Sequence, residues 1–114
     1  IIIVTNPEIP AVTDALKTSK LVEQLGKVVK GIVVNRSSGS KSEMPISNIL
    51  DMLELPLLGI IPEDKNVPKS VLMKDALIYT HPRSRASKAY RKLAAKLIGK
   101  ENYKEAGFWA TLFG

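Results

Sequence analysis

Three short apolar segments constrain the fold of this chain more than any other feature. In order along the chain they read IIIVT from residue 1, KGIVVN from residue 30 and LPLLGIIP from residue 55. Apolar residues that follow one another without alternation are typical of strands covered on both faces. Strands that alternate with helices favour βαβ units and a parallel sheet. The sequence therefore predicts an α/β fold, namely a partial doubly wound, mostly parallel sheet of about three strands with flanking helices.

Helices are predicted between and after these strands, because apolar residues recur there every three or four positions. The predicted helices cover about residues 11–26, 45–53, two turns ending at 74, and 84–98. Residues 77–80, LIYT, are predicted as a short extended segment. Residues expected to face inward in the first helix are Val12, Ala15, Leu16, Val22 and Leu25. Those expected to face inward in the last helix are Ala86, Ala89, Tyr90, Leu93, Leu97 and Ile98.

The predicted sheet is small for its type, since sheets commonly have about five or six strands. The chain also lacks an initiator methionine and starts directly with the apolar run IIIV. We therefore expect that further residues precede Ile1. We also expect residues 1–99 to be the C-terminal half of a larger α/β domain.

Basic residues are concentrated near the C-terminus. The chain has a net charge of +6, and seven of its lysines and arginines lie between Arg83 and Lys100 with no acidic residue among them. A block of this kind favours an anionic partner, such as lipid head groups, nucleic acid or an acidic protein. The alternative is a solvated helix face, formed by the four that share one side: Arg85, Lys88, Lys92 and Lys96.

Several kinds of site are excluded or disfavoured. The chain has no cysteine, which excludes disulfides and cysteine-based metal sites. The segment SSGSKS is not a P-loop, because Ser40 separates Gly39 from Lys41 and Val34 stands where the first glycine is required; we predict a flexible loop. His81, the only histidine, is expected to be structural or superficial. No apolar run reaches the ~20 residues that span a bilayer.

The candidate ligand-binding residues lie where the second and third strands end. Asn35 and Arg36 end the second strand, and Pro62, Glu63 and Asp64 follow the third. Open parallel sheets bind ligands at this edge, and an amide such as that of Asn35 offers both a donor and an acceptor to an adenine. Ordinary turn chemistry at a strand end is the alternative interpretation.

The last eight residues, GFWATLFG, contain both phenylalanines and the only tryptophan of the chain. A helix over residues 107–114 would place four apolar side chains along one side: Phe108, Trp109, Leu112 and Phe113. We predict a membrane-targeting tail at 107–114, joined by a linker at 100–106. One copy is expected to bind anionic lipids weakly and reversibly, and two copies in a dimer far better. The alternative is a tail that folds back over an edge of the core.

Five segments that occur in this order resemble the C-terminal portion of the MinD/ParA family of deviant P-loop ATPases, in particular its cell-division members. They are IIIVTNPEIPAVTDALK, GIVVNR, SEMPISNILDMLELPLLGIIPED, SKAYRKLAAKLIG and GFWATLFG. Together they cover nearly the whole chain. The combination of TNPE, VNR, IPED and an amphipathic C-terminus is specific.

The resemblance implies a nucleotide site shared with residues outside this chain. In the family, a mostly parallel sheet binds ATP with magnesium, and the protein forms a homodimer in the ATP state. The resemblance places the adenine against Asn35, Arg36 and the turn of Pro62, Glu63 and Asp64. The P-loop and the magnesium-binding residues belong to an N-terminal half that is absent here. We therefore expect this chain alone to bind no nucleotide tightly and to hydrolyse no ATP.

The resemblance also implies a cellular function and a set of partners. The complete protein would be an ATPase that binds reversibly to the cytoplasmic face of the cell membrane and positions the division site. Its partners would be anionic lipids, the missing N-terminal half, a second copy and cell-division regulators, with Asp14 near the dimer and partner surface. Two segments depart from the family pattern: PAVTDAL, around Asp14, and VLMKDALIY, which is more apolar.

Two alternative functions remain open at the level of sequence. One is a membrane-surface scaffold without catalysis. The other is a DNA-partition ATPase of the ParA branch. DNA is the weaker candidate partner, because within the basic segment only Tyr90 offers an aromatic ring for stacking on bases.

Overall fold

The computed structural model of the protein describes residues 1–99, which form three strands and five helices. The elements are β1 (Ile2–Thr5), α1 (Ile9–Gln24), β2 (Gly31–Ser37), α2 (Ile46–Leu53), β3 (Leu57–Pro62), α3 (Asn66–Leu72), α4 (Leu77–Thr80) and α5 (Arg85–Leu97). The strands form one parallel sheet in the order β1-β2-β3. The predicted α/β fold class is confirmed. The predicted linker and tail, residues 100–106 and 107–114, lie outside the described residues.

Alternate residues of β2 pack on opposite faces of the sheet. Ile32 and Val34 belong to a core formed with α1 and α2, whereas Val33 packs with Ile61 of β3 and Ala86 of α5. This two-sided burial explains why the strand is apolar at every position rather than at alternate ones. The sheet edge that carries the strand C-termini is consequently held between helices on both faces.

The helix α5 approaches β3 closely at Gly59. A Cβ atom at this position would lie 3.2 Å from Cδ1 of Leu93, so an added side chain would crowd the Leu93 side chain of α5. The absence of a side chain lets α5 lie directly on the third strand. The first turn of α5 is thereby placed beside the residues that follow Pro62.

The predicted extended segment at residues 77–80 is wrong, because these residues form α4. The amide of Thr80 donates to the carbonyl of Ala76 at 3.1 Å, and that of His81 donates to the carbonyl of Leu77 at 2.7 Å. The carboxylate of Asp75 accepts the amide of Ala76 at 2.8 Å at the start of this turn. Backbone groups satisfied within one helical turn need no partner strand.

Three of the side chains predicted to face inward are exposed instead. Leu25 is 68% exposed, Tyr90 44% and Ile98 58%. In α5 the buried stripe runs along Ser87, Arg91 and Ala95, which moves Tyr90 to the margin of the packed surface. Arg91 can be buried because its guanidinium donates to the carbonyl of Pro82, and a buried cation requires such partners.

No helix within residues 1–99 is both long enough and apolar enough to cross a membrane.

Candidate functional site

A cleft of about 1010 Å³ opens beside the C-terminal ends of β2 and β3. Every residue predicted at the strand ends lines it: Asn35, Arg36, Pro62, Glu63 and Asp64. The structure thus brings together groups that lie almost 30 residues apart in the sequence. Asp14 is exposed on α1 and does not line the cleft. Which ligand the cleft binds, and what Asp14 contacts, stay predictions.

A β-bulge at the end of β2 directs residues into the cleft. Val34 pairs with Ile60 and Ser37 with Pro62, so β2 contains one residue more than β3 over this interval. Arg36 has a φ of 57°, a left-handed conformation that non-glycine residues adopt rarely. Bulges are frequent beside functional sites, where they redirect side chains.

Asn35 contributes an uncommitted amide to this cleft. The residue is half-buried, and its side chain makes no hydrogen bond to any other residue in the described range 1–99. Its amide group carries both donors and an acceptor. The side chain can therefore pair with a ligand group that presents an acceptor next to a donor, as the edge of an adenine does.

Asp64, which follows the end of β3, bonds to the protein through both of its carboxylate oxygens. Its Oδ1 accepts the backbone N–H of Asn66 at 2.9 Å, and its Oδ2 accepts that of Ala86 at 3.0 Å. The N–H of Ala86, followed by that of Asn66, holds the pKa of the Asp64 carboxyl below its usual value. These contacts give Asp64 a structural function at the starts of α3 and α5.

Two helices supply walls that were not predicted from the sequence. From α3 come Val67, Pro68, Val71 and Leu72, and from α5 come Arg85 and Tyr90. The four α3 residues are spaced i, i+1, i+4 and i+5, which places them on one side of a helix. That spacing was the available signal, but it begins ahead of the two helical turns that the sequence predicts to end at residue 74. Apolar walls with a few polar groups are typical of small-molecule sites.

In the serine-rich loop beside the cleft, the carboxylate of Glu43 accepts hydrogen bonds from other residues of the same loop. Glu43 accepts the backbone N–H groups of Ser38 and Gly39, each at 3.1 Å, and the hydroxyl of Ser38. The Ser38 hydroxyl, and after it these N–H groups, hold the pKa of the Glu43 carboxyl below its usual value. The amides that a phosphate would need are therefore bonded to Glu43 in this structure.

The remaining candidate groups form no metal site in the part of the chain that the structure describes. Residues 1–99 contain no cluster of three or more histidine or acidic side chains that could hold a metal ion. The Nδ1 atom of His81 lies 2.9 Å from the Oγ1 atom of its neighbour Thr80, and the imidazole does not line the cleft.

A family profile described as "4Fe-4S iron sulfur cluster binding proteins, NifH/frxC family" matches residues 1–105. Iron–sulfur clusters are held mainly by cysteine thiolates, and this chain has no cysteine. Its residues therefore do not fit such a cluster, and we assign it no cluster chemistry.

Comparison with individual proteins gives a consistent set of relatives. An uncharacterized ATP-binding protein of Methanocaldococcus jannaschii is 39% identical over 99 residues, which cover 87% of this chain and 38% of that protein. The septum site-determining protein MinD of Pyrococcus horikoshii, solved in complex with Mg-ADP, has a TM-score of 0.78 at 32% identity and is matched over 84% of this chain and 40% of its own.

A third similar protein comes from the MinC:MinD cell division protein complex of Aquifex aeolicus. It has a TM-score of 0.79 at 26% identity, and the match covers 86% of this chain and 42% of that chain. The present chain thus spans about two fifths of the length of the proteins that it matches.

Proposed function

We propose that this chain, which belongs to the NifH/frxC family and is similar to MinD and MinD-like ATP-binding proteins, forms the adenine-binding side of the nucleotide site of a MinD-like ATPase. The convergence of Asn35, Arg36 and the turn of Pro62, Glu63 and Asp64 on one cleft carries this proposal. The cleft lies at the edge where open parallel sheets bind ligands.

The residues of this chain would hold the base and leave the phosphates to other groups. The Asn35 amide pairs with the edge of the adenine, while the apolar side of α3 packs against the ring and excludes water. Bound ATP with magnesium supplies the phosphoanhydride that is cleaved. The phosphate cradle and the magnesium ligands that phosphoryl transfer requires come from an N-terminal half. We use "complete protein" below for this chain joined to such a half.

We infer that the complete protein is a cell-division ATPase that forms a homodimer in the ATP state and contacts cell-division regulators. The similarity to a protein of the MinC:MinD cell division protein complex supports this inference. Asp14 is exposed on α1, as a residue at a dimer or partner surface must be.

We propose further that residues 107–114 bind the complete protein to anionic lipid at the cytoplasmic face of the membrane. Each apolar side chain buried in the bilayer would contribute about 1.5–3 kcal/mol as an upper range, and ordering of the segment cancels part of this. The basic residues of α5 would add electrostatic attraction that weakens as salt rises.

Co-sedimentation with anionic liposomes tests the membrane proposal. We expect Trp109→Glu and removal of residues 107–114 to reduce sedimentation at unchanged melting temperature. Equal sedimentation of intact and truncated protein would contradict it. A truncation that lowers the melting temperature and leaves sedimentation intact would indicate a tail that covers the core.

Calorimetric titration of ATP into the complete protein tests the nucleotide proposal. Asn35→Ala should weaken binding by roughly two- to tenfold, because one hydrogen bond is worth about 0.5–1.5 kcal/mol. The matched control is Asn48→Ala, an exposed asparagine of α2 outside the cleft. Equal affinities of wild type and Asn35→Ala would overturn the adenine assignment. Liposome binding with no ATP binding at all would instead favour the scaffold alternative.

A further inference from the structure

The carboxylate of Asp64 stands between the two walls of the cleft. One wall is the apolar side of α3, and the other is formed by Arg85 and Tyr90 of α5. Oδ1 accepts the N–H of Asn66 in the first turn of α3, and Oδ2 accepts the N–H of Ala86, 22 residues further along the chain, in the first turn of α5. Each oxygen therefore holds a different wall.

In this structure the capping residues of the two helices do not make the hydrogen bonds that Asp64 makes. The residue before α3, Lys65, makes no capping hydrogen bond with its side chain. The residue before α5, Ser84, accepts the N–H of Ser87 rather than that of Ala86. Ala86 is completely buried, and the first four N–H groups of a helix have no partner within it. Without Asp64, this N–H would lose the acceptor that it has in this structure.

We propose that Asp64 is a positioning residue that sets the separation of α3 and α5, and so the width of the cleft, without contacting the base itself. The effect on nucleotide rests on the proposed function, whereas the tie between the helices does not. Because each oxygen accepts a backbone N–H of a different helix, the carboxylate acts through the walls. Recognition of the adenine edge belongs to Asn35, at the end of β2.

The separation of the helices can be measured directly, because the chain has no cysteine that would compete for a label. Lys69→Cys on α3 and Lys88→Cys on α5 introduce two exposed labelling sites outside the cleft lining. Pulsed electron paramagnetic resonance on the spin-labelled full chain then gives the interhelical distance. We expect one narrow distance distribution, which Asp64→Ala broadens or shifts.

Asp75→Ala is the matched control, because the Asp75 carboxylate accepts only the neighbouring Ala76 amide and lies outside the cleft. It should leave the distance unchanged. An unchanged distance in Asp64→Ala would overturn the proposal. Should Asp64→Ala fail to fold, Asp64→Asn carries the same comparison, since it keeps one acceptor oxygen.

A second measurement separates positioning from direct contact. In the complete protein, Asp64→Ala should weaken ATP binding by roughly tenfold and leave the preference for ATP over GTP unchanged, whereas Asn35→Ala should reduce that preference. A changed preference in Asp64→Ala, or an altered distance without loss of affinity, would overturn the positioning role. If the wild-type complete protein binds no ATP, the proposed function fails, while the distance result still decides the tie.

Discussion

The two sides of the cleft use their polar groups in opposite ways. On the β2 side, a bulge with a left-handed residue presents the amide of Asn35, which is bonded to no other described residue. On the β3 side, both oxygens of Asp64 are bonded to backbone N–H groups. The Asn35 amide makes no hydrogen bond within the described residues and is available to a ligand, whereas the Asp64 carboxylate holds the backbone of α3 and α5.

This contrast shows that two polar residues at equivalent strand ends need not have equivalent roles. Sequence and family resemblance place Asn35 and Asp64 together as candidates for binding the base. The structure distinguishes them by the hydrogen bonds that Asp64 accepts from the backbone of Asn66 and Ala86. A residue that shapes the site should affect stability and affinity together, whereas a residue that contacts the ligand should affect affinity alone. The predictions below test that distinction.

The largest expected effect concerns hydrolysis, because the proposed function assigns both sides of the cleft to the base and neither to the phosphates. Purified 1–114 should show no magnesium-dependent ATP hydrolysis above background, measured as phosphate release. The complete protein is the positive control. Turnover by 1–114 that Asn35→Ala abolishes would contradict the assignment of this cleft to the base alone.

The free energy of unfolding should separate the two sides. Asp64→Ala removes an acceptor from two N–H groups, one of them buried, and should destabilise the chain by about 1–3 kcal/mol. Asn35→Ala removes no internal hydrogen bond in the described part of the chain and should stay within about 0.5 kcal/mol of wild type. Urea titration of 1–114 measures both. Equal losses of stability in the two variants would contradict the distinction between a site-shaping Asp64 and a ligand-contacting Asn35.

Acid should abolish the contribution of Asp64 to the free energy of unfolding. Its pKa is lower in the folded chain than the ordinary value, so its stabilisation is complete above the unfolded pKa, about 3.9, and is lost as pH falls through the folded pKa. The difference in unfolding free energy between wild type and Asp64→Asn should therefore be constant above about pH 5 and shrink below about pH 4. Urea titrations at several pH values provide the test. A difference that does not change with pH would contradict a stabilising role of the ionised Asp64 carboxylate.

The smallest effect is expected at Glu43, whose bonds all lie within one exposed loop. Glu43→Gln should accelerate amide hydrogen exchange at Ser38 and Gly39 and leave the urea midpoint nearly unchanged. This variant serves as a comparison for Asp64→Ala, because it removes a carboxylate whose hydrogen bonds lie within a single loop. A loss of stability as large as that of Asp64→Ala would mean that the loop, too, supports the walls of the cleft.

The sequence predicted the sheet well because its evidence is local. Unbroken apolar runs define β1, β2 and β3, and parallel pairing then brings their C-terminal ends to one edge. The exposure of Tyr90 and the burial of Arg91 could not be predicted in this way. Both depend on which side of α5 meets the sheet, and one partner of Arg91 is the carbonyl of Pro82.

The sequence predicted only the part of the candidate site that depends on local signals. Its strand-end residues follow from topology, but the tie between Asp64 and Ala86 joins positions 22 residues apart and has no signature in either segment. The helical conformation of residues 77–80 was missed because four apolar and β-branched residues suit a strand as well as a helix turn. Only the hydrogen bonds to Ala76 and Leu77 decide between them.

The central claim is that the base of the nucleotide lies against the β2 side of this cleft. Intermolecular nuclear Overhauser effects between ADP and the isotopically labelled complete protein test it most directly. We predict contacts from the adenine protons to the side-chain amide of Asn35 and to the ring of Pro62. Bound ADP whose adenine protons show contacts only to residues outside the cleft would contradict the account.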